Sequence, residues 1–184
     1  MDKKKRFDKI VRDIKTIKIQ GARNIAHAAI KAYFLAPSPK SKKALLGSRP
    51  TEPMMHRVLK MAKNFSEKDI LKHFDIAQEK INKNVIRLIK NGSIIMTHCH
   101  STNVSSALIY VHKKGKRFEV YTTETRPLYQ GRKTAKELRR AGIPVTMFVD
   151  SAIGLALSGG RKKADMVFIG ADALLKKGVI NKIG

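Results

Sequence analysis

The sequence predicts an α/β protein, in which a helical N-terminal domain over residues 1–91 precedes a Rossmann-like parallel sheet domain over residues 92–184. Two observations support this fold class. Apolar residues recur at helical spacing through the first ninety residues, whereas after Gly92 short apolar runs alternate with helical patterns. Strands that alternate with helices are typical of a parallel sheet, and 184 residues suffice for two small domains.

In the first half, apolar spacing predicts helices over residues 5–17 and 22–35, separated by the Gln20-Gly21 step. Residues 36–41 contain two prolines and two serines and are predicted to form a loop. Pro53 favours the start of another helix, because proline is tolerated in a first turn.

A longer helix is predicted to begin after Ser66, because Asp69 three residues later resembles a capping box. It is predicted to run to Lys90 and to be stopped by Asn91-Gly92. Apolar stripes of this kind usually face a core, so the first half is interpreted as scaffold. The predicted apolar side carries Ile70, Phe74, Ala77, Ile81, Val85 and Leu88.

In the second half, strands are predicted over residues 93–97, 118–122, 144–149 and 166–169, with helices over 103–114, 133–140 and 152–157. Ligands of such sheets bind beyond the carboxyl ends of the strands. The residues that follow each strand are therefore the candidates for a site. They include Cys99 and its neighbours, Glu124 to Arg126, Asp150 with Ser151, and Gly170 to Asp172.

Each of these residues also has a purely structural interpretation. A lone cysteine after a strand is more often a small buried hydrophobe, but His98, His100 and a following helix start favour a reactive thiol at Cys99. Three consecutive residues cannot all face one ion, so no metal is predicted. Asp150 is either a cap of the helix that follows it or part of the ligand site, and Asp172 is either the cap of a turn or a residue of that site. Arg126 is either a surface charge or a phosphate clamp.

The charge balance narrows the class of partner. Lys and Arg number 39 against 14 Asp and Glu, which gives a net charge of +25. This charge favours polyanionic partners such as phosphorylated molecules or nucleic acid, unless it reflects a proteome-wide bias.

No apolar run is long enough to span a membrane, and no signal segment follows the basic N-terminus. A cytoplasmic protein without membrane partners is expected. One cysteine excludes an internal disulfide.

Five motifs occur in order in the second half: Thr-His-Cys-His-Ser at residues 97–101, Thr-Glu-Thr-Arg-Pro with Gln-Gly within 123–131, Gly-Ile-Pro-Val at 142–145, Gly-Ala-Asp at 170–172 and Asn-Lys-Ile-Gly at 181–184. Together they resemble the superfamily of regulatory alpha, beta and delta subunits of translation initiation factor 2B and the related sugar-phosphate isomerases. Residues 19–22 and 48–51 resemble motifs of the family's helical domain.

Within that superfamily, the isomerases pair a cysteine after the first strand with an aspartate in the Gly-Ala-Asp turn. Cys99 and Asp172 supply both, and the motifs are most similar to archaeal ribose-1,5-bisphosphate isomerases. The resemblance implies conversion of ribose 1,5-bisphosphate to ribulose 1,5-bisphosphate in nucleotide salvage, without metal or organic cofactor. A methylthioribose-1-phosphate isomerase shares the catalytic pair and stays open. The alternative is a non-catalytic factor-2B-like regulatory subunit that binds another translation factor.

The resemblance also implies roles for individual residues. Asp172 would handle the proton at the ring or carbonyl oxygen, with Cys99 as the partner acid or base. Relatives assemble as dimers or hexamers, so a homo-oligomer is expected, with a nucleotide as activator. Substrate contacts are expected from Gln20, Gly21, Ala22, Arg23, Arg49, Ser101, Thr102, Asn103, Arg126, Gln130, Asn181 and Lys182.

The chain departs from the family pattern in two places. Gln20 stands where the isomerases usually have arginine, and Arg23 would compensate only if the helix had already begun at Gln20. The sequence also stops at Gly184, whereas family members continue through further strands and helices. A domain truncated at its C-terminus is therefore expected.

Overall fold

The computed structural model describes residues 2–159 and 162–181 and confirms the α/β fold class. Five helices precede the sheet: α1 Lys3–Lys15, α2 Ala22–Leu35, α3 Pro39–Ser48, α4 Pro53–Met61 and α5 Glu67–Leu88. The rest of the described chain contains β1 Ile94–Thr97, α6 Thr102–Lys113, β2 Glu119–Thr123, α7 Gln130–Arg140, β3 Val145–Phe148, α8 Ile153–Ser158, β4 Met166–Phe168, β5 Ala173–Leu175 and β6 Gly178–Ile180.

The described chain divides into two compact units. The helical unit contains the described residues up to Ile76 together with Asp172–Ile180, and the sheet unit contains those of Ala77–Ala171 with Asn181. The domain boundary between residues 91 and 92 stays a prediction.

A core of buried aliphatic side chains holds the helical unit together. Burial of each such side chain contributes about 1.5–3 kcal/mol. Because these residues recur three or four positions apart on α2 and α4, one face of each helix is buried. The largest fully buried members are Ile14, Ile25, Ile30, Leu45, Met55, Leu59 and Ile70.

The sheet unit is built on four parallel strands in the order β3-β2-β1-β4. All four residues of β1 are buried, which explains why its sequence is a continuous apolar run rather than an alternating one. Ile95 and Val120 pack with Leu108 of α6 and Leu138 of α7 on one face, and Met96 and Tyr121 pack with Ala156 of α8 on the other. The carboxyl ends of all four strands therefore lie along one edge of the sheet.

The predicted loop over residues 36–41 is wrong in its second part, because α3 already begins at Pro39. Ser38 is the N-cap of α3, and its Oγ accepts a hydrogen bond from the backbone N–H of Ser41 at 3.0 Å. Proline in the first turn and serine at the N-cap are helix-start residues, so the composition that indicated a loop marks a helix start here.

The long helix α5 shows the predicted capping interaction, since Ser66 Oγ accepts from Asp69 N at 3.2 Å and donates to Asp69 Oδ2 at 2.6 Å. Its predicted end is wrong. The helix stops at Leu88, which is 56% exposed, while Ile89 is fully buried.

The sequence pattern also missed the β5-β6 hairpin, whose strands have three residues each. Within the described part of the chain, no helix has the length and apolar character needed to cross a membrane.

Candidate active site

Cys99 follows β1 directly, and three side chains hold it in place. Its backbone N–H donates to Thr125 Oγ1 at 2.9 Å, its carbonyl accepts from Thr134 Oγ1 at 2.8 Å, and its thiol donates to Gln130 Oε1 at 3.3 Å. The backbone of Cys99 has a φ of 64°, which costs about 1–3 kcal/mol for a residue other than glycine. These bonds offset that cost, so the surroundings fix the thiol at the strand end.

The two flanking histidines bind other partners. His98 Nδ1 lies 2.6 Å from Thr123 Oγ1, and His100 Nδ1 lies 3.0 Å from Thr134 Oγ1 and 3.8 Å from Glu137. Burial lowers the pKa of His100 below its usual value, so its ring is neutral at pH 7. A neutral His100 contributes no positive charge beside the Cys99 thiol. No three His, Cys, Asp or Glu side chains of the described residues gather as metal ligands would.

The lowered pKa of His100 predicts acid sensitivity. The unfolded chain takes up a proton near pH 6.5 and the folded chain resists it, so stability is full above pH 6.5 and falls as the pH drops towards the folded pKa. We expect the melting temperature to decrease between pH 7.5 and 5.5, and to decrease less in His100→Asn. His27 of the helical unit has a pKa lowered by burial too, so the double variant with His27→Asn should show the smallest decrease. An equal decrease in wild type and His100→Asn would exclude this assignment.

A buried carboxylate organises the loop after β2. Glu124 Oε1 accepts from Nε of Arg126 at 2.8 Å, and its Oε2 accepts from Arg132 at 2.9 Å. Both guanidinium groups also lie over the ring of Tyr129, at 5.4 and 3.9 Å from its centroid. These two hydrogen bonds hold the pKa of Glu124 below its usual value. Arg126 is thus an ordered cation, and its ion pair uses Nε rather than the terminal nitrogens.

Asp150, after β3, holds the same loop from the other side. Its two carboxylate oxygens accept the backbone N–H groups of Thr125 at 2.8 Å and Arg126 at 2.7 Å. These bonds, the one from Arg126 first, hold its pKa below the usual range. The interpretation of Asp150 as a cap of the following helix is wrong. Asp150 is the first residue of a short 3-10 helix, Asp150–Ala152, whose N-cap is Val149 and which has no side-chain cap. Sequence separation concealed the role, since the bonded atoms are about 25 residues apart.

The start of α6 lies next to the end of β4. Ser101 is the N-cap, and its Oγ accepts from Val104 N at 3.5 Å. A Cβ placed on Gly170 would be 3.0 Å from the Ser101 side chain, so the strand approaches the helix closely there. Thr102 is the first residue of α6, and the carbonyl of Asn103 accepts from Gln78 Nε2 at 3.2 Å. The backbone N–H groups of a helix start favour an anion.

The expected contacts near the second helix belong to the helical unit. Gly21 is the N-cap of α2 with a φ of 83°, and the helix begins at Ala22. Gln20 lies outside the helix and donates to the Ile17 carbonyl at 3.0 Å, so the condition under which Arg23 would replace a missing arginine is not met. Arg23 instead forms an ion pair with Asp75 at 2.8 Å.

The remaining predicted residues lie at turns. The carbonyl of Arg49, the C-cap of α3, accepts from Glu52 N at 3.2 Å. Asp172 closes the β5-β6 hairpin, since its N–H donates to the Ile180 carbonyl at 2.8 Å. Arg49 and Asp172 belong to the helical unit, and Asn181 belongs to the sheet unit with Cys99. Lys182 lies outside the described residues.

Sequence reasoning named Cys99, Arg126 and Gln130 but missed the side chains that orient them. Thr134 and Arg132 lie within a charged helix with no motif of their own, and Glu124 belongs to a strand end and to the Thr-Glu-Thr-Arg-Pro motif without a role predicted for it. A signal was present for Glu124, because a carboxylate beside a strand end with arginines two and eight residues later is placed to form ion pairs.

The fold and this edge of the sheet define a class: an α/β protein with a helical unit, a parallel Rossmann-like sheet and a held cysteine at the end of the first strand. The chain belongs to the initiation factor 2 subunit family, whose sequence profile matches residues 39–184.

Several curated proteins that are similar to this chain are named as isomerases. It is 32% identical to the ribose 1,5-bisphosphate isomerase of Archaeoglobus fulgidus, over 93% of this chain and 62% of that protein. The enzyme of the same name from Methanocaldococcus jannaschii is 36% identical, over 93% and 63%. A methylthioribose-1-phosphate isomerase of Pelotomaculum thermopropionicum is 34% identical, over 90% and 52%. The chain thus spans less than two thirds of the length of these relatives.

Two solved structures share the fold. The translation initiation factor eIF-2B of Pyrococcus horikoshii aligns with a TM-score of 0.73 at 21% identity, over 91% of this chain and 66% of that chain. The eIF2B delta subunit of Chaetomium thermophilum aligns with a TM-score of 0.72 at 20% identity, over 94% and 77%. At these identities the likeness establishes the architecture alone.

Proposed function

We propose that this chain carries the active-site residues of an aldose-ketose isomerase that converts ribose 1,5-bisphosphate to ribulose 1,5-bisphosphate in nucleotide salvage. The observation that carries the proposal is the Cys99 thiol, fixed at the carboxyl edge of β1, in a chain whose archaeal relatives of 32–36% identity are named for this reaction. A thiol there lies where ligands of parallel sheets bind.

The reaction is redox-neutral and needs one acid and one base. On ring opening, the bond between C1 and the ring oxygen breaks, the electron pair goes to oxygen, and oxygen takes up a proton. Hydrogen then moves from C2 to C1, and the C2 hydroxyl loses its proton as the ketone forms. We assign the proton donor to Cys99 and the acceptor at the carbonyl oxygen to Asp172. One proton enters and one leaves, so no cofactor is required.

Two phosphate groups require cationic and N–H donors. In the sheet unit we assign this role to Arg126, held in place by Glu124, to the start of α6 at Ser101, Thr102 and Asn103, and to Asn181. The ion pair with Glu124 keeps the Arg126 side chain ordered before a ligand arrives. The role of Gln20, Gly21, Ala22, Arg23, Arg49 and Lys182 rests on the resemblance to the isomerases.

We also propose that the whole protein is a cytoplasmic homo-oligomer. An eIF2B beta-delta complex of Chaetomium thermophilum with the same fold is a tetramer and aligns with a TM-score of 0.66. A dimer or a hexamer is the expected form, and a nucleotide is the expected activator.

The test is turnover of ribose 1,5-bisphosphate by the purified protein, beside methylthioribose 1-phosphate and the variant Asp172→Asn. We expect ribulose 1,5-bisphosphate from the first substrate, and a loss of about 10²-fold or more in Asp172→Asn, because the amide cannot accept the proton. Asp69→Asn is the matched control, since that carboxylate contacts Ser66 at the start of α5 and has no assigned role in substrate binding.

Turnover of methylthioribose 1-phosphate alone would reassign the substrate. Absence of turnover from folded protein, together with salt-sensitive binding to a translation factor, would overturn the isomerase proposal in favour of a regulatory subunit.

A further inference from the structure

The side chain of Gln130 makes a contact that its expected role in substrate binding does not explain. Its amide oxygen lies 3.3 Å from the sulfur of Cys99, within the range of a hydrogen bond to sulfur, and the thiol is the donor. Cys99 is 6% exposed. The bond therefore forms in a site where water competes little.

The position of Gln130 is fixed by the backbone around it. Tyr129 adopts a left-handed φ of 53° as the N-cap, so α7 begins with Gln130 itself. The next residue, Gly131, packs directly against the backbone of Thr123 at the end of β2. Close packing of Gly131 fixes the first turn of α7, and the Gln130 side chain extends from this turn to the Cys99 sulfur.

Among the described residues, the titratable groups on the elements that meet at Cys99 have hydrogen-bond or ion-pair partners of their own. On its own segment, His98 binds Thr123 and the neutral His100 binds Thr134. From the loop after β2, Arg126 is paired with Glu124. Described groups on neighbouring elements include Glu137 and Lys133 of α7, which lie near His100, and Asp150 after β3, which binds the backbone of that loop.

We infer that Gln130 is a positioning residue that keeps the Cys99 thiol protonated and directs its S–H bond. An amide oxygen can accept a hydrogen bond from the thiol, and it repels the thiolate, so the contact stabilises only the protonated form. The inference deepens the proposed function and rests on it for its catalytic meaning: the thiol begins the cycle as an acid, able to deliver a proton to the ring oxygen.

The experiment measures the titration of the thiol without any substrate. Cys99 is the single cysteine of the chain, so protein labelled with ¹³C-cysteine gives one Cβ resonance, whose chemical shift follows the thiol with pH. Wild type is compared with Gln130→Leu, which removes the acceptor, and with Gln130→Glu, which replaces it by an anionic one. We expect the midpoints in the order Leu, wild type, Glu, with Leu lower by about half to one pH unit, the worth of one hydrogen bond.

Thr134→Val is the matched control. It removes the hydrogen bonds of Thr134 Oγ1 to the Cys99 carbonyl and to the neutral ring of His100, but it leaves Gln130 Oε1, the acceptor of the S–H, in place. Its midpoint is expected to stay at the wild-type value, which separates a specific effect on the proton from a general loss of order.

A midpoint in Gln130→Leu that is equal to or above that of wild type would overturn the inference. If Gln130→Leu fails to fold, the isosteric Gln130→Glu still decides, because an unchanged or lower midpoint there excludes the contact. Since the titration requires no turnover, the expected order together with an inactive protein would reject the proposed function and retain the role of Gln130.

Discussion

Replacing Cys99 with serine is expected to reduce turnover of ribose 1,5-bisphosphate by about 10²- to 10⁴-fold, the range that positioned acid–base groups contribute. Serine preserves the size of the side chain, and its hydroxyl can still donate to Gln130. Its hydroxyl proton is far less acidic than that of a thiol, so proton delivery to the ring oxygen fails while the substrate still binds. The measurement is kcat with KM, and we expect the loss in kcat.

Folding of the variant is followed by chemical denaturation. The backbone bonds of Cys99 to Thr125 and Thr134 do not involve the sulfur, so the free energy of unfolding should change by no more than about 2 kcal/mol. Met96→Leu is the matched control, because Met96 of β1 is also buried and the substitution conserves volume. Turnover within tenfold of wild type in folded Cys99→Ser would remove Cys99 from the mechanism.

Gly131→Ala is expected to destabilise the sheet unit by more than about 3 kcal/mol, which is large for one methyl group. The added Cβ would overlap the carbonyl oxygen of Thr123 and lie 2.8 Å from its carbonyl carbon and 3.0 Å from Thr125 Oγ1. Because these are mostly backbone atoms of β2, no rotamer change relieves the overlap. Either α7 or the strand end has to move.

The measurement is the denaturant midpoint of the variant beside Gly154→Ala and Gly47→Ala. A Cβ on Gly154 of α8 or Gly47 of α3 meets no heavy atom within 4 Å, and alanine favours a helix, so these controls should gain up to about 1 kcal/mol. A loss below about 1 kcal/mol in Gly131→Ala would show that the first turn of α7 is not packed as closely as described.

The sequence predicted much of the architecture because its local signals were strong. Residues 22–35 form the helix that their apolar spacing indicates, and all four predicted parallel strands are present. It failed where one composition fits two structures. The Pro-Ser segment before α3 indicates a loop as readily as a helix start. The end of α5 depends on tertiary packing, which leaves Leu88 exposed to solvent and buries Ile89 in the core.

The location of the candidate site was predictable from the sequence, but the hydrogen bonds within it were not. The rule for strand ends located Cys99 and Arg126, since it depends only on strand order. The donors to Asp150 and the acceptor of Thr134 could not be foreseen, because each bond joins residues that are 24 to 35 positions apart in the sequence. Such pairings follow from how the loops turn, and nothing in the local sequence specifies that.

The segment between Thr123 and Gly131 has its length fixed at three points. Strand β2 ends at one side, Gly131 lies against that strand's last carbonyl at the other, and Asp150 binds the middle. Most surface loops tolerate insertions and deletions during evolution, whereas a single added residue here would strain the path between these attachments. Diversification of this segment must therefore proceed by exchange of side chains, at positions such as Arg126 and Tyr129, on a backbone of constant length.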